Sequence, residues 1–369
     1  IVNFRSRLIE RLLDRGWAVS VAAPPDDYSS EPILRRCDYR PLPFSRRGTN
    51  PLYELATLFR IAQLLKAVRP DIVLTWTPKP NIYAALLSTL LGVEVVPNIA
   101  GLGTAFIRQG MLSRAVSLLY YCSLKRCRRV FFQNDDDQRL FVSNGWVSRS
   151  AAERLPGSGV DLRRFVPTPL PCRNETVLLF AGRLLADKGL RELIAATRKL
   201  KTEGCHLRLL VAGFVDAGNP SGISQEEVGS WQREELIEYL GPIKDICPVI
   251  AQADCVVLPS YREGVPRILL EAAAMARPVI TTDAIGCRDA VVAGETGFLC
   301  RARDADSLAA AMRNVLRLSY DQRADMGRRG RRFVEAHFDE QNVLARYMAV
   351  VSAHQSKREL LPQPDIGMP

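Results

Sequence analysis

Short apolar strands alternate with amphipathic helical patterns along nearly the whole chain, and the alternation runs twice, on either side of a stretch rich in glycine and proline. In the first run, strands read at Ala18–Ala23, Asp71–Trp76, Glu94–Asn98 and Arg129–Phe132, with helices near 51–68, 80–91, 111–127 and 135–144. In the second, strands read at Thr176–Ala181, Leu207–Ala212, Cys255–Leu258 and Val279–Thr281, with helices near 187–201, 245–252, 266–276 and 304–318. This is the grammar of βαβ units and mostly parallel sheets. The expected fold is therefore α/β, with two Rossmann-like parallel-sheet domains facing across a cleft. The first spans 1–156 and the second 175–335, joined by a linker over 157–174 that holds Gly157, Gly159, Pro167, Pro169 and Pro171. A C-terminal helix is expected over 336–354 and a disordered tail over 355–369. The chain opens without Met inside a helical pattern, with Phe4, Leu8, Ile9, Leu12 and Leu13 on one face, so a strand is expected upstream of residue 1.

With 369 residues there is chain enough for two cores, and 47% apolar against 24% charged residues excludes a disordered protein. The longest apolar run, Ile82 to Val93, falls short of the ~20 residues that cross a bilayer, so no transmembrane helix is expected. A net charge of +10 points to a polyanion, a phosphorylated ligand or an anionic membrane surface. The nine cysteines form no C-x-x-C pair and do not cluster with His206, His337 or His354. Neither a zinc site nor a disulfide framework is supported, which fits a reducing cytosol.

In open α/β sheets ligands sit at the carboxyl ends of strands. The strand ending at Ala181 runs into Gly182-Arg183-Leu184-Leu185-Ala186-Asp187-Lys188-Gly189 and then a helix. Backbone N–H groups and the helix dipole favour an anion there; Arg183 could fork onto phosphate oxygens while Lys188 supplies a point charge. A solvated basic turn capped by Asp187 reads equally well. The strand ending at Leu258 runs into a segment carrying Glu263, Gly264, Val265, Pro266 and Glu271. On a continuous helix two carboxylates eight residues apart are separated by about 12 Å, comparable with a sugar nucleotide. Gly264 would let backbone approach the ligand. Otherwise Glu263 is a loop charge and Glu271 a solvated helix residue, although Glu271 stands between Leu269–Leu270 and Ala272–Ala274, where an unpaired carboxylate is costly.

Together, Ala-Gly-Arg-x4-Lys-Gly (181–189), Pro-Ser-x3-Glu-Gly-x6-Leu-Glu-Ala (259–272), Arg-Pro-Val-Ile (277–280) and Gly-Glu-Thr-Gly-Phe-Leu (294–299) resemble the donor half of the retaining GT-B glycosyltransferases of family 4. Weaker likenesses lie at Asn3-Phe4-Arg5, Ile99-Ala100-Gly101-Leu102-Gly103, Phe131-Phe132-Gln133-Asn134 and Gly157-Ser158-Gly159-Val160-Asp161. The whole resembles bacterial enzymes that move a hexose or N-acetylhexosamine from a UDP-sugar to an undecaprenyl-diphosphate-linked sugar in glycan, capsule or exopolysaccharide assembly. The resemblance implies that Arg183 and Lys188 neutralise the departing diphosphate beside Gly182, that Glu271 holds the ribose, and that Glu263 with the amides after Gly264 (Val265, Pro266) positions the donor sugar. It implies a base contact near Leu240–Lys244, and no cofactor or metal, since fixed cations can stabilise the leaving group.

The chain departs from that pattern in two places. The family's upstream strand and glycine-rich loop are absent, so residue 1 is expected to follow a missing segment of about 10–20 residues. The acceptor-side loop Gly101, Leu102, Gly103 has no nearby His, which leaves the acceptor base unassigned. Gly101-x-Gly103 is not a dinucleotide fingerprint, because Phe106 stands where the third Gly is needed. Asp135-Asp136-Asp137 resembles a metal motif but stands at a helix start, where capping explains it. Leu112, Val116, Leu119, Tyr120 and Leu124 lie beside Arg114, Lys125, Arg126, Arg128 and Arg129, a basic amphipathic helix suited either to the core or to an anionic bilayer. The expected location is thus the cytoplasmic face of the plasma membrane, peripherally bound. Nucleic acid is not an expected partner, since no groove-reading motif is present. A UDP-sugar epimerase or hydrolase, or a non-catalytic sugar-nucleotide-binding subunit, would use the same scaffold.

Overall fold

The computed structural model describes residues 2–25, 29, 31–44, 50–102, 111–216 and 218–359. The amino-terminal lobe runs α1 (Val2–Asp14), β1 (Ser20–Ala23), α2 (Pro32–Arg35), β2 (Asp38–Pro41), α3 (Pro51–Val68), β3 (Ile72–Thr75), α4 (Pro78–Leu91), β4 (Glu94–Ile99), α5 (Met111–Leu124), β5 (Val130–Phe132), α6 (Asp135–Ser143) and β6 (Ala152–Arg154). Strands β3-β4-β5-β6 form one parallel sheet in that order, and β1 pairs with β2 in a second. The helix starts follow local chemistry. Asn50 caps α3 ahead of Pro51 by accepting from the Leu52 N–H, and Gly92 closes α4 in a left-handed conformation.

The carboxy-terminal lobe runs β7 (Thr176–Ala181), a short 3-10 turn (Ala186–Lys188), α7 (Leu190–Thr202), β8 (Leu207–Ala212), α8 (Gln225–Arg233), β9 (Glu238–Gly241), α9 (Cys247–Gln252), β10 (Cys255–Leu258), α10 (Arg267–Ala274), β11 (Val279–Thr282), β12 (Gly297–Cys300), α11 (Ala305–Arg317), α12 (Tyr320–His337) and α13 (Glu340–Glu359). Its parallel sheet has the order β12-β11-β10-β7-β8-β9. The chain builds outward from β7 in one direction, then returns to build from β10 in the other. Helices cover both faces, so β7 and β10 are buried along their whole length and read as unbroken apolar runs rather than alternating ones. Leu178, Leu179 and Phe180 are fully enclosed, each such burial being worth roughly 1.5–3 kcal/mol.

Two expectations are corrected here. The stretch 157–174 is not a free linker. Val160 and Phe165 are buried, and the fully buried Arg277 guanidinium donates to the Thr168 and Pro169 carbonyls at 2.7 and 3.0 Å, fastening the stretch to the second lobe. Burial also lowers the Arg277 pKa to about 10. The terminal helix does not stop at 354 but continues through Glu359, so 355–359 are helical. That helix crosses back to the first lobe, where Tyr347 packs edge-on to Phe131 and its hydroxyl accepts from Trp76 Nε1 at 2.8 Å. One apolar cluster thereby joins α1, β4, β5 and α13.

Candidate active site

The reversal of strand order between β7 and β10 is a topological switch point, where the loops after two neighbouring strands part and leave a crevice. Those two loops carry Arg183 with Lys188, and Glu263. They are also fastened to each other. The Tyr261 N–H donates to the Asp187 carbonyl at 2.9 Å, and Gly189, at φ 71°, sits so close to the Pro259 carbonyl that a Cβ could not be accommodated. This register brings the Lys188 ammonium onto the Glu263 carboxylate as a half-buried ion pair. Gly189 also opens α7, whose unpaired N–H groups face the same end of the sheet.

Arg183 follows β7 directly. Its guanidinium is about half exposed and lies 3.7 Å from the Asp216 carboxylate in the loop after β8, a loose contact that leaves it available to a ligand. Gly182 beside it has open space where a side chain would be. Glu271 is buried on α10 and ion-paired with Arg267 one turn earlier at 2.8 Å. Burial raises the Glu271 carboxyl above the ordinary glutamate range, with Arg267 and Arg164 opposing the shift. Arg267 in turn lies over the Phe4 ring of α1, 5.1 Å from its centroid, so this pair sits where the lobes meet.

Of the four side chains named from the sequence, two therefore meet each other and the other two turn to different partners. Lys188 and Glu263 touch; Arg183 turns toward Asp216 and Glu271 toward Arg267. Glu263 and Glu271 do not share a helix, because Pro266 caps α10 and Glu263 stands in the loop before it, so the 12 Å helical spacing does not apply. Gly264 makes a close backbone approach, but to the other lobe. A Cβ there would lie 2.6 Å from the Ala100 carbonyl and 2.5 Å from Gln133 Oε1, while Gly101, at φ 109°, faces the Gly264 N–H from the opposite side. Val265 is buried against Gly157. Leu102 is in the first lobe's core, and Gly103 lies outside the described residues.

The sequence reading missed the clasp between the lobes. Asn134 accepts from the Asp137 N–H at 2.8 Å, capping α6, and donates through Nδ2 to the Gly264 carbonyl at 3.0 Å. Arg262 reaches across to the fully buried Asp137 carboxylate. Asp135 and Asp136 pair with Arg154 and Arg139 at 3.2 and 3.0 Å, so the acidic triplet turns toward three different arginines. The spacing of Arg267 and Glu271, four apart on a helix, was a legible signal for their pairing; nothing in the sequence linked Arg262 to Asp137. Behind the loops, a cavity of about 350 Å³ is lined by Ala186, Asp187, Arg191, Ser221, Tyr261 and Arg303, and none of the four predicted side chains faces it.

Comparison with known proteins agrees with this architecture. Residues 1–158 match the family described as glycosyl transferase 4-like domain and residues 175–317 match glycosyl transferases group 1. Over 332 residues the chain is 27% identical to the N,N'-diacetylbacillosaminyl-diphospho-undecaprenol alpha-1,3-N-acetylgalactosaminyltransferase of Campylobacter jejuni, covering 84% of each. It is 23% identical to the UDP-Gal:alpha-D-GlcNAc-diphosphoundecaprenol alpha-1,3-galactosyltransferase of Escherichia coli, covering 73% of this chain and 72% of that one. The fold superimposes on sucrose-phosphate synthase of Thermosynechococcus elongatus with TM-score 0.80 at 20% identity, over 95% and 92% of the two chains. It superimposes on Anabaena HepE, solved in complex with UDP and glucose, with TM-score 0.75 at 17% identity, over 95% and 94%. With both halves matched and both lobes built as the sheet order requires, the chain belongs to the GT-B glycosyltransferases of the family 4 type.

Proposed function

We propose that the chain transfers a hexose or N-acetylhexosamine from a UDP-sugar, with retention of configuration, to a saccharide carried on a polyprenyl diphosphate, in bacterial glycan, capsule or exopolysaccharide assembly. The observation that carries the reading is the Lys188–Glu263 pair at the switch point between β7 and β10. The names of two relatives support the acceptor class, since both act on sugars joined to undecaprenol through diphosphate.

In this reading the bond between sugar C1 and the diphosphate oxygen breaks, and the electron pair leaves with the diphosphate. Arg183, Lys188 and the N-terminus of α7 neutralise that charge in place, so little reorganisation accompanies the reaction. Glu263, released from Lys188 as the phosphates arrive, holds donor-sugar hydroxyls, and Glu271 accepts from the ribose hydroxyls. An acceptor hydroxyl entering past Gly101 and Leu102 forms the new bond to C1 and gives its proton to the departing diphosphate oxygen. The enzyme works on the cytoplasmic face of the plasma membrane, where a polyprenyl-linked acceptor is presented.

The test follows UDP release and product mass with UDP-sugars, with and without a polyprenyl-diphosphate saccharide. The expected result is release that depends on acceptor and a product heavier by one sugar. Equal release without acceptor would make the protein a hydrolase. Turnover is expected to be unchanged by EDTA; loss on chelation with recovery on adding manganese would overturn the metal-free reading.

A further inference from the structure

We infer that the outer face of the helical layer α3–α4–α5 is the surface by which this chain docks on an anionic lipid bilayer, an inference that rests on the lipid-linked acceptor proposed above. The three helices lie side by side, α4 between α3 and α5. Their outward residues are large and apolar where a solvated face would be polar. Leu52, Leu55 and Phe59, spaced as one stripe of α3, are 77%, 64% and 63% exposed; Leu90 of α4 is 81% and Leu118 of α5 is 62% exposed. Between them an open groove of about 600 Å³ is lined by Leu52, Leu55, Leu58, Phe59, Ala62 and Leu87, with almost no polar surface.

The charge around this patch selects the occupant. From Pro51 to Arg129 the sequence carries ten Lys and Arg against three carboxylates, Glu54, Asp71 and Glu94, so most of the net +10 lies in this part of the chain. Glu54 is consumed internally by Lys79 and the Tyr83 hydroxyl, and Glu94 by His354 at 2.9 Å. Among the described residues, the exposed cations are Arg60, Lys66 and Arg69 on or just after α3, Arg114 on α5, and Lys125, Arg126, Arg128 and Arg129 after it, Arg129 being paired with Glu153. Exposed leucine and phenylalanine on helices that also carry exposed cations match an interface of acyl chains and anionic headgroups. No helix among the described residues is long and apolar enough to cross a membrane, so the contact is with the surface.

The expected stripe on α5 is corrected by this arrangement. Tyr120 and Leu124 turn into the core, while Leu118, Leu119 and Tyr121 face outward, and α3 supplies the larger share of exposed apolar side chains. The topology also places the patch usefully. Helices of parallel βαβ units run against their strands, so the N-terminal ends of α3 and α4, joined through Glu54 and Lys79, lie at the carboxyl end of β3 and β4. The loop carrying Gly101 leaves from that same end, so a lipid-anchored acceptor reaches the crevice without leaving the surface.

The test is flotation of the full chain with vesicles of phosphatidylcholine alone and of phosphatidylcholine mixed with phosphatidylglycerol. Wild type is expected to float with the anionic vesicles, weakening in high salt, and L55E/F59E to bind roughly tenfold less or weaker. Unchanged thermal midpoint and circular dichroism in L55E/F59E show that the fold is intact, both sites being exposed. UDP release with a short-chain, water-soluble acceptor is expected to be equal in the two proteins. If neither protein turns over, the catalytic reading fails while flotation still judges the surface. Equal flotation of wild type and variant, or equal binding to neutral and anionic vesicles, overturns the inference. A lipid-free dimer that L55E/F59E dissolves overturns it too, by assigning the face to a second copy.

Discussion

The Lys188 ammonium rests on the Glu263 carboxylate, although the two residues are 75 positions apart and belong to loops after different strands. Each neutralises the other at a point where the donor phosphates and sugar would have to enter. Under the proposed function, binding a diphosphate would exchange one partner of Lys188 for another and free Glu263 at the same time. Lys188→Ala is expected to lower kcat more than tenfold, over about 1.4 kcal/mol of transition-state stabilisation. Steady-state kinetics in purified protein decide this, and an unchanged kcat would remove Lys188 from the leaving-group site.

Arg183 differs from Lys188 in how little the fold depends on it. Its side chain is about half exposed and its carboxylate neighbour, Asp216, is 3.7 Å away, a geometry that adds little to stability. Arg183→Ala should then lower kcat/KM for the donor more than tenfold and leave the thermal midpoint where it was. A parallel fall in midpoint and activity would make Arg183 a structural residue.

How far the sequence discloses such a site depends on how local each contact is. The sequence places strands β7, β8 and β10 to the residue, because β7 and β10 are doubly buried, continuous apolar runs and β8 is one but for the exposed Arg208. Strands β2, β6, β9 and β12 were overlooked, since they are short and partly exposed edge or near-edge segments without such a run. Helix α8 lacks a long apolar stripe, and its start is marked instead by the capping box between Ser224 and Glu227. Loop residues Arg183, Lys188 and Glu263 were legible through the strand ends that launch them. The clasp made by Asn134, Asp137, Arg262 and Gly264 was not, because its partners are more than 120 residues apart and only the packing of two lobes brings them together.

That clasp has an energetic consequence. Asp137 is wholly buried, and desolvation raises its carboxyl above the ordinary aspartate range despite the opposing pull of Arg262 and Asn134. Removing the guanidinium strands a buried carboxylate, a change that typically costs 3–5 kcal/mol, so Arg262→Ala is expected to lose about that much in urea unfolding. Asp137→Asn in the same chain should restore part of the loss, since the group left behind no longer carries charge. Additive losses in the double-mutant cycle would mean that the two side chains are not coupled.

Under the proposed function, Glu271 would tie stability and donor binding to the same proton. Its folded value is raised by burial, so the native chain keeps this proton to a higher pH than the unfolded chain, whose glutamates titrate near roughly 4.3. The contribution to stability is whole below the unfolded value and is lost as pH climbs through the folded one. Glu271→Gln keeps an oxygen for Arg267 and cannot titrate. Urea unfolding from acid to neutral pH should therefore show the variant gaining on wild type as pH rises. UDP binding is expected to move the other way. The ribose hydroxyls need an ionised acceptor, so wild-type affinity should fall on acidification through the raised value, while the variant stays flat and weaker at neutral pH. A constant stability difference across that range would show that Glu271 keeps an ordinary carboxyl, and a UDP affinity in the variant equal to wild type at neutral pH would remove it from the ribose site.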